Sequence, residues 1–333
     1  KEKVFFKKLE FLIQKEVNCS GVPKQVNLLW GIKTVLTRIL NLSISKHFIK
    51  TALFIPIFLC SLAGGQKKVL LIGIDGCRSD ALTLANTPNI DQLIDNGIFI
   101  PNASCSINNQ RTRSGPGWST MLTGVWFEKH GVTSNSFKGS QIDRYPPFNV
   151  LMKRKNKNFK MASFIMWKPI EKHIIKGTGE YYKFFSRYND ELAIDVSKYI
   201  VQSKEDAIFI DFDHVDRAGH IFGFNPKGKR YVNAIEKVDR YVGLIIESLQ
   251  KRNGYQNEEW LIIITSDHGG IKRNHGGQSI HEKTIPIILS GSSFKGKKIT
   301  RKAYLADIVP TIFYHYEVEI DSSWSLDGFP LGD

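Results

Sequence analysis

The stretch DFDHVDRAGH, residues 211–220, sets Asp211, Asp213, His214, Asp216 and His220 within ten residues, directly after the apolar run AIFI. Left unpaired inside a protein, such groups cost several kcal/mol each. They belong at a solvated cleft or around a cation that neutralises them. Two other places in the chain carry the same chemistry. Asp75 closes the apolar run KVLLIGID, and Asp267 and His268 follow WLIIIT in TSDHGG, with His275 and His281 close behind in NHGGQSIH. Imidazole and carboxylate without thiolate suit zinc, and less selectively manganese or iron. Taken singly, each Asp or His reads more simply as a cap or a surface residue. Their recurrence at the ends of apolar runs points to a site for two divalent ions.

A nucleophile candidate lies between them. RTRSGPGWSTMLTG (111–124) places Ser114 ahead of Gly-Pro-Gly, where the chain turns into a helix. A helix N-terminus offers free backbone N–H groups to an anion. A hydroxyl beside a metal ion becomes an activated nucleophile. Read alone, the same serine is an ordinary N-cap.

These residues are far apart in the chain, so a scaffold must gather them. KVLLIGID (68–75), KMASFIMW (160–167), DAIFIDF (206–212), WLIIITSD (260–267) and IPIILSG (285–291) are continuous apolar runs, the mark of strands buried on both faces. NIDQLIDNG (89–97) reads as a helix closed by a C-cap glycine, Gly97. Residues 226–254 read as a helix with Tyr231, Ile235, Val238, Val242 and Ile245 near one stripe. The alternation predicts an α/β fold with a largely parallel sheet. Such sheets collect functional residues at the carboxyl ends of their strands. No repeat, low-complexity tract or linker follows Gln66, so residues 66–333 read as a single domain. Segments 132–150 and 169–190 read as loops.

The chain is 42% hydrophobic and 23% charged, ordinary for a globular protein with a real core. Of its net charge of +14, residues 1–50 hold +7, with ten Lys/Arg against three acids. A nucleic-acid-binding module would want that charge on a face of the folded domain, so none is expected. The four cysteines, at 19, 60, 77 and 105, have no zinc-knuckle spacing; Cys77 and Cys105 either pair or stay as buried thiols. Residues 46–65, KHFIKTALFIPIFLCSLAGG, have a basic start, an apolar stretch from Thr51 to Ala63 and small residues before Gln66. That is the layout of a secretory signal peptide. The apolar stretch is short for a membrane span of about twenty residues. The expected mature protein is therefore secreted or periplasmic, with no transmembrane span. A retained membrane anchor is the alternative. Residues 1–45 are expected to lie outside any domain.

LIGIDGCRSDAL, SGPGWSTMLTGVWFEKHGV, DFDHVDRAGHIFG, TSDHGG and NHGG together resemble, in order and character, the alkaline phosphatase superfamily, and within it the type I phosphodiesterase/nucleotide pyrophosphatase branch. The resemblance covers about residues 67–332, including the ending SLDGFPL. It implies an alkaline-phosphatase-like three-layer sandwich around a largely parallel sheet. It implies a catalytic domain that uses two divalent ions, zinc or else manganese. Asp75, Ser114, Asp267 and His268 resemble the ligands of one ion, and Asp216, His220 and His275 those of the other. Ser114 takes the place of the nucleophile. Asp211, Asp213 and His214 are left as supporting or solvated groups, and His281 as a residue outside the ligand set.

Two departures bear on the substrate. The branch usually has an Asn three residues after the nucleophile, where this chain has Gly117. A phosphoryl contact from such an amide must come from elsewhere. Sulfatases start a C/S-x-P-x-R motif at the nucleophile, and Trp118 stands where its Arg would be. Gly117 and Trp118 leave room and a stacking face beside Ser114. Lys168, in MWKPI, is a candidate anion contact, with a plain surface lysine as the simpler reading. The implied activity is hydrolysis of phosphodiester or pyrophosphate bonds in a small phosphate-ester substrate. The alternatives are a phosphomonoesterase, a sulfatase-like hydrolase, and a non-catalytic relative that binds phosphate or glycans through metal.

Overall fold

The computed structural model describes residues 65–332. The expectations for residues 1–45 and for the export-type stretch fall on chain outside the described residues, Gly65 apart. Seven strands form one sheet: β1 (Gln66–Ile74), β2 (Gly97–Ser104), β3 (Met161–Ile165), β4 (Tyr181–Phe184), β5 (Ala207–Phe212), β6 (Glu258–Thr265) and β7 (Thr284–Ser290). Their spatial order is β2-β7-β6-β1-β5-β3-β4. The five strands from β6 to β4 pair in parallel, and β7 runs antiparallel to both β6 and β2. The sheet is thus largely parallel. Its central strands are the apolar runs.

Alternation along the strands divides the core. Val69 and Leu71 of β1, with Leu261 and Ile263 of β6, face one layer. Leu70, Ile72 and Ile74 of β1, with Ile262 and Ile264 of β6, face the other. On the second face lie α2 (Pro88–Asp95), α6 (Asn189–Gln202) and α8 (Lys229–Gln250). In α8 the stripe Tyr231, Ile235, Val238, Val242 and Ile245 is fully buried. On the first face lie α3 (Ser114–Thr123), α5 (Phe148–Lys155) and α10 (Ile308–His315). Helix, sheet and helix make the three layers expected of the fold. No helix among the described residues is long and apolar enough to cross a membrane.

Several local expectations change. Gly97 does not cap α2, whose C-cap is Asn96. Gly97 instead opens β2, where a Cβ would overlap the Leu289 carbonyl of β7. β2 carries Pro101 and a register shift between Ile100 and Ala103, both tolerated at a sheet edge. The 169–190 segment is not all loop. Ile170–Ile175 form a π-helical turn, and Tyr181–Phe184 form β4, a short, half-buried edge strand with little apolar signal. Cys77 and Cys105 are buried free thiols, so the pairing alternative is not realised.

One close approach sets the depth of α3 against the sheet. Gly73, paired with Asp211 of β5 and Thr265 of β6, lies under the six-membered ring of Trp118, and a Cβ there would overlap that ring. Gly73→Ala is therefore expected to destabilise the protein by about 1–3 kcal/mol, the range for overpacking a filled core. Denaturant unfolding of Gly73→Ala, Trp118→Phe and the double variant checks this. Adding Gly73→Ala to the Trp118→Phe background should cost clearly less than adding it to the native chain.

Candidate active site

Because β6, β1 and β5 are neighbours, the residues that follow them meet at one edge of the sheet. Asp75 follows β1, and Asp267 and His268 follow β6. Asp216 and His220 lie one turn apart on α7 (His214–Phe222), directly after β5. The turn after Asp75 needs Gly76, whose φ is +67° and whose Cβ would press on Asp216. His275 comes from the loop between β6 and α9 (Ile280–Lys283).

The side chains form two groups. Asp75, Asp267 and His268 are all buried, and each offers one ligand atom within 4.8 Å of the others. Asp216, His220 and His275 form the second group under the same limit. The two adjoin through the stacked rings of His268 and His275, 3.8 Å between centroids. Ser114, first residue of α3, points its Oγ to within 3.3 Å of His268 Nε2.

The hydrogen bonds show how these groups are aimed. Each imidazole uses Nδ1 on a backbone carbonyl: His268 on Gly269 at 2.8 Å, His275 on Thr112 at 2.9 Å, and His220 on Arg273 at 2.9 Å. A ring that donates from Nδ1 presents a lone pair at Nε2. All three Nε2 atoms face the clusters, and those of His220 and His275 are 3.1 Å apart. The carboxylates behave alike. Asp267 Oδ1 accepts from the N–H groups of Gly76 and His268, and Asp75 Oδ2 accepts from the Trp118 indole at 3.4 Å. Asp75 Oδ1, Asp216 Oδ1 and Asp267 Oδ2 are buried with no hydrogen-bond partner among the described residues. Orphaned buried carboxylate oxygens are costly and rare. Lone pairs converging from three carboxylates and three imidazoles fit divalent cations, and the backbone anchors on Nδ1 are the usual outer shell of metal-binding histidines.

The proton affinities carry the same strain. Burial, reinforced by Asp267 and Asp216, pushes the Asp75 carboxyl well above the usual range. Burial and then Asp216 lift Asp267 to about 7. Burial lowers His268 and holds His275 down at about 4. With His268 held neutral, its contacts of 3.3–3.5 Å to Asp267 and Asp75 are not ion pairs. At Asp216 burial acts upward, but the His220 hydrogen bond and the facing imidazoles outweigh it and bring the carboxyl down. That same bond raises His220. The edge lacks positive charge, which bound cations would supply.

The remaining candidates take other places. A Cβ on Gly117 would stand 2.5 Å from the Asp267 carbonyl oxygen, so the position of the missing Asn is closed by packing. Trp118 does not offer a stacking face. It is fully buried, with its ring over Gly73 and its N–H on Asp75. Lys168 is exposed, with its Nζ 5.7 Å from the centroid of the Phe184 ring. Asp211 is buried, accepts from the N–H groups of Met166 and Trp167, and is pushed well up by burial. Asp213 pairs with Arg217 at 2.8 Å and receives the Asn189 amide. His281 bonds Arg78 through Nδ1 at 2.9 Å and lies outside both groups.

Two further residues support the site, of which sequence reasoning left out Asn135. Asn135 Oδ1 accepts from the Gly115 N–H at 2.8 Å, which sets its carboxamide beside Ser114. Its one signal was an amide in the polar run S-N-S of the 132–150 segment. Arg78 uses all five N–H groups, on Asp80 twice, on the Phe224 and Gly270 carbonyls, and on His281. It clamps the loops beside the second group, and no N–H is left for an anion.

The family model for type I phosphodiesterase / nucleotide pyrophosphatase matches residues 69–281. An uncharacterized pyrophosphatase/phosphodiesterase of Schizosaccharomyces pombe is 29% identical over 270 residues, 69% of this chain and 51% of the relative. Human bis(5'-adenosyl)-triphosphatase ENPP4 is 22% identical over 223 residues, 61% of this chain and 47% of the relative. The chain thus spans about half the length of these curated relatives. Among solved structures, murine ectonucleotide pyrophosphatase / phosphodiesterase 5 aligns with a TM-score of 0.61 at 16% identity, over 76% of this chain and 96% of that one. A 2-O GAG sulfatase aligns with a TM-score of 0.62 at 14% identity, over 80% and 73%. At such identities the structural likeness speaks for the fold. The family match encloses Asp75, Ser114, Asp216, His220, Asp267, His268 and His275, and on it the chain belongs to the type I phosphodiesterase / nucleotide pyrophosphatase family.

Proposed function

We propose that this chain hydrolyses phosphodiester or pyrophosphate bonds of small substrates, with Ser114 as nucleophile. The observation that carries the reading is the placement of Ser114 Oγ against a cluster of three inward-facing imidazole nitrogens and three unpartnered carboxylate oxygens. Asp75, Asp267, His268 and Ser114 would hold one divalent ion, and Asp216, His220 and His275 the other. Zinc suits these donors best. Bound there, such ions supply Lewis acidity to the phosphoryl oxygens and to the entering and leaving oxygens.

The chain's own residues do the rest. Ser114 Oγ attacks phosphorus, the bond from phosphorus to the leaving oxygen breaks, and the serine proton passes to solvent. The leaving oxygen gains a proton, and Ser114 carries the phosphoryl group. Water then cleaves the serine ester and restores the hydroxyl. The Asn135 carboxamide, held beside Ser114 through the Gly115 N–H, would offer its own N–H groups to a phosphoryl oxygen. It supplies the contact that Gly117 cannot. Ser114→Ala is expected to lower kcat by on the order of a thousandfold or more while keeping metal and fold. A variant with near-native rate would mean that water attacks phosphorus directly.

About two divalent ions per chain are expected in active protein. His275→Ala should lose about one of them and His281→Ala neither, because His275, unlike His281, presents Nε2 to the second group. Elemental analysis of the three purified proteins decides the point. An active native protein free of metal would end the two-ion reading.

The substrate lean is towards diesters. A monoester brings a dianion and asks for cations around it. Arg78 is consumed by its clamp, while Arg111 and Arg113 are exposed and Arg111 reaches the Gly276 carbonyl at 3.4 Å. The expected result is a higher kcat/KM for an aryl nucleotide diester than for the matching aryl monoester. A monoester preference above about tenfold would move the substrate class and leave the nucleophile in place.

A further inference from the structure

Ser114 stands at the first group, and the second group of Asp216, His220 and His275 adjoins it. In an in-line displacement the entering and leaving oxygens lie on opposite sides of phosphorus. With phosphorus seated between Ser114 and the second group, a leaving group would depart past that second group. Next to that group opens a cleft of about 850 Å³. The two share a wall. The Arg273 carbonyl, from a residue of the cleft, accepts from His220 Nδ1. The Phe224 ring stands edge-on to His220 and His275, at 5.5 and 6.1 Å between centroids.

The lining has a definite chemistry. Phe222 and Ile271 are exposed apolar side chains, 44% and 37% accessible. Lys272 and Arg273 form no ion pair or side-chain hydrogen bond among the described residues. The one acid in the lining, Asp80, is already paired with Arg78 at 2.6 Å. The two free cations sit on a tight turn in which Ile271 and Asn274 exchange backbone hydrogen bonds of 2.9 and 3.0 Å. Lys272 takes a left-handed backbone there, φ +54°, where Gly or Asn is favoured.

We propose that this cleft binds the leaving group, and that it favours leaving groups joining an apolar or aromatic body to an anion, as a nucleoside phosphate does. This rests on the phosphohydrolase reading and adds a substrate half to it. Phe222 and Ile271 receive the body, and Lys272 and Arg273 receive the charge.

The test uses metal-loaded protein and two substrates that share the thymidine 5'-monophosphoryl half. One leaves as nitrophenol and the other as a nucleoside monophosphate. The ratio of their kcat/KM values, nucleotide over nitrophenyl, should fall about tenfold in the Lys272→Ala/Arg273→Ala double variant. It should hold in Lys272→Arg/Arg273→Lys, and in the native chain it should decline as salt screens the cations. A second reading needs no turnover. Calorimetric titration of metal-free protein with phenyl phosphate should show binding at least about fivefold weaker in the double alanine variant. A native enzyme that turns over both substrates, with an unchanged ratio in the variant, overturns the cleft assignment alone. Unchanged phenyl phosphate binding also overturns it. A native enzyme that turns over neither substrate overturns the phosphohydrolase reading and this inference with it.

Discussion

Mutual repulsion among Asp75, Asp216 and Asp267 is the constraint around which the sheet edge is built. Three carboxyl groups share one buried edge: Asp267 and Asp216 raise the proton affinity of Asp75, and Asp216 raises that of Asp267. A protein keeps such an arrangement only if something fixes the groups against relaxation. Here the fixing is done by backbone N–H groups and two buried aromatic side chains. Gly76 and His268 N–H groups hold one oxygen of Asp267, and the buried indole of Trp118 holds one of Asp75. Tyr231 bonds the Gly76 carbonyl at 2.6 Å and ties the same turn to α8. The free oxygens are left facing inward because the others are spoken for.

The same logic accounts for the small residues nearby. Gly73, Gly76 and Gly117 each lie where a side chain would strike the site or its support. They let α3, α7 and the end of β6 approach to the distance at which Ser114 reaches His268. A chain with larger residues at these points would keep its sheet and lose the convergence.

Much of this was legible in the sequence, for a physical reason. Central strands buried on both faces must be apolar throughout, so β1, β3, β5, β6 and β7 stand out as runs. Polar groups at their ends then mark the functional edge without knowledge of the strand order. What escaped was held by weaker signals. β4 is four residues long and half buried, and β2 carries a proline and a register shift, so neither shows a clear period. The place of Trp118 could not be read, because a tryptophan beside a serine says nothing of which faces the sheet. Asn135 escaped because its bond to Gly115 joins residues twenty apart through a loop of no periodicity. Arg78 is a fully bonded clamp, a role that only partners in space reveal.

The bond between Trp118 and Asp75 has an optical side. Indole emission shifts with the electric field along the ring, and the Trp118 N–H lies 3.4 Å from a carboxylate oxygen inside a dry layer. Of the six tryptophans in the chain, this is the one whose N–H, among the described residues, bonds a carboxylate of the two groups. Whatever changes the charge at that edge changes the light from one known ring. The protein thus carries, without a label, a spectroscopic probe wired to the state of its own site.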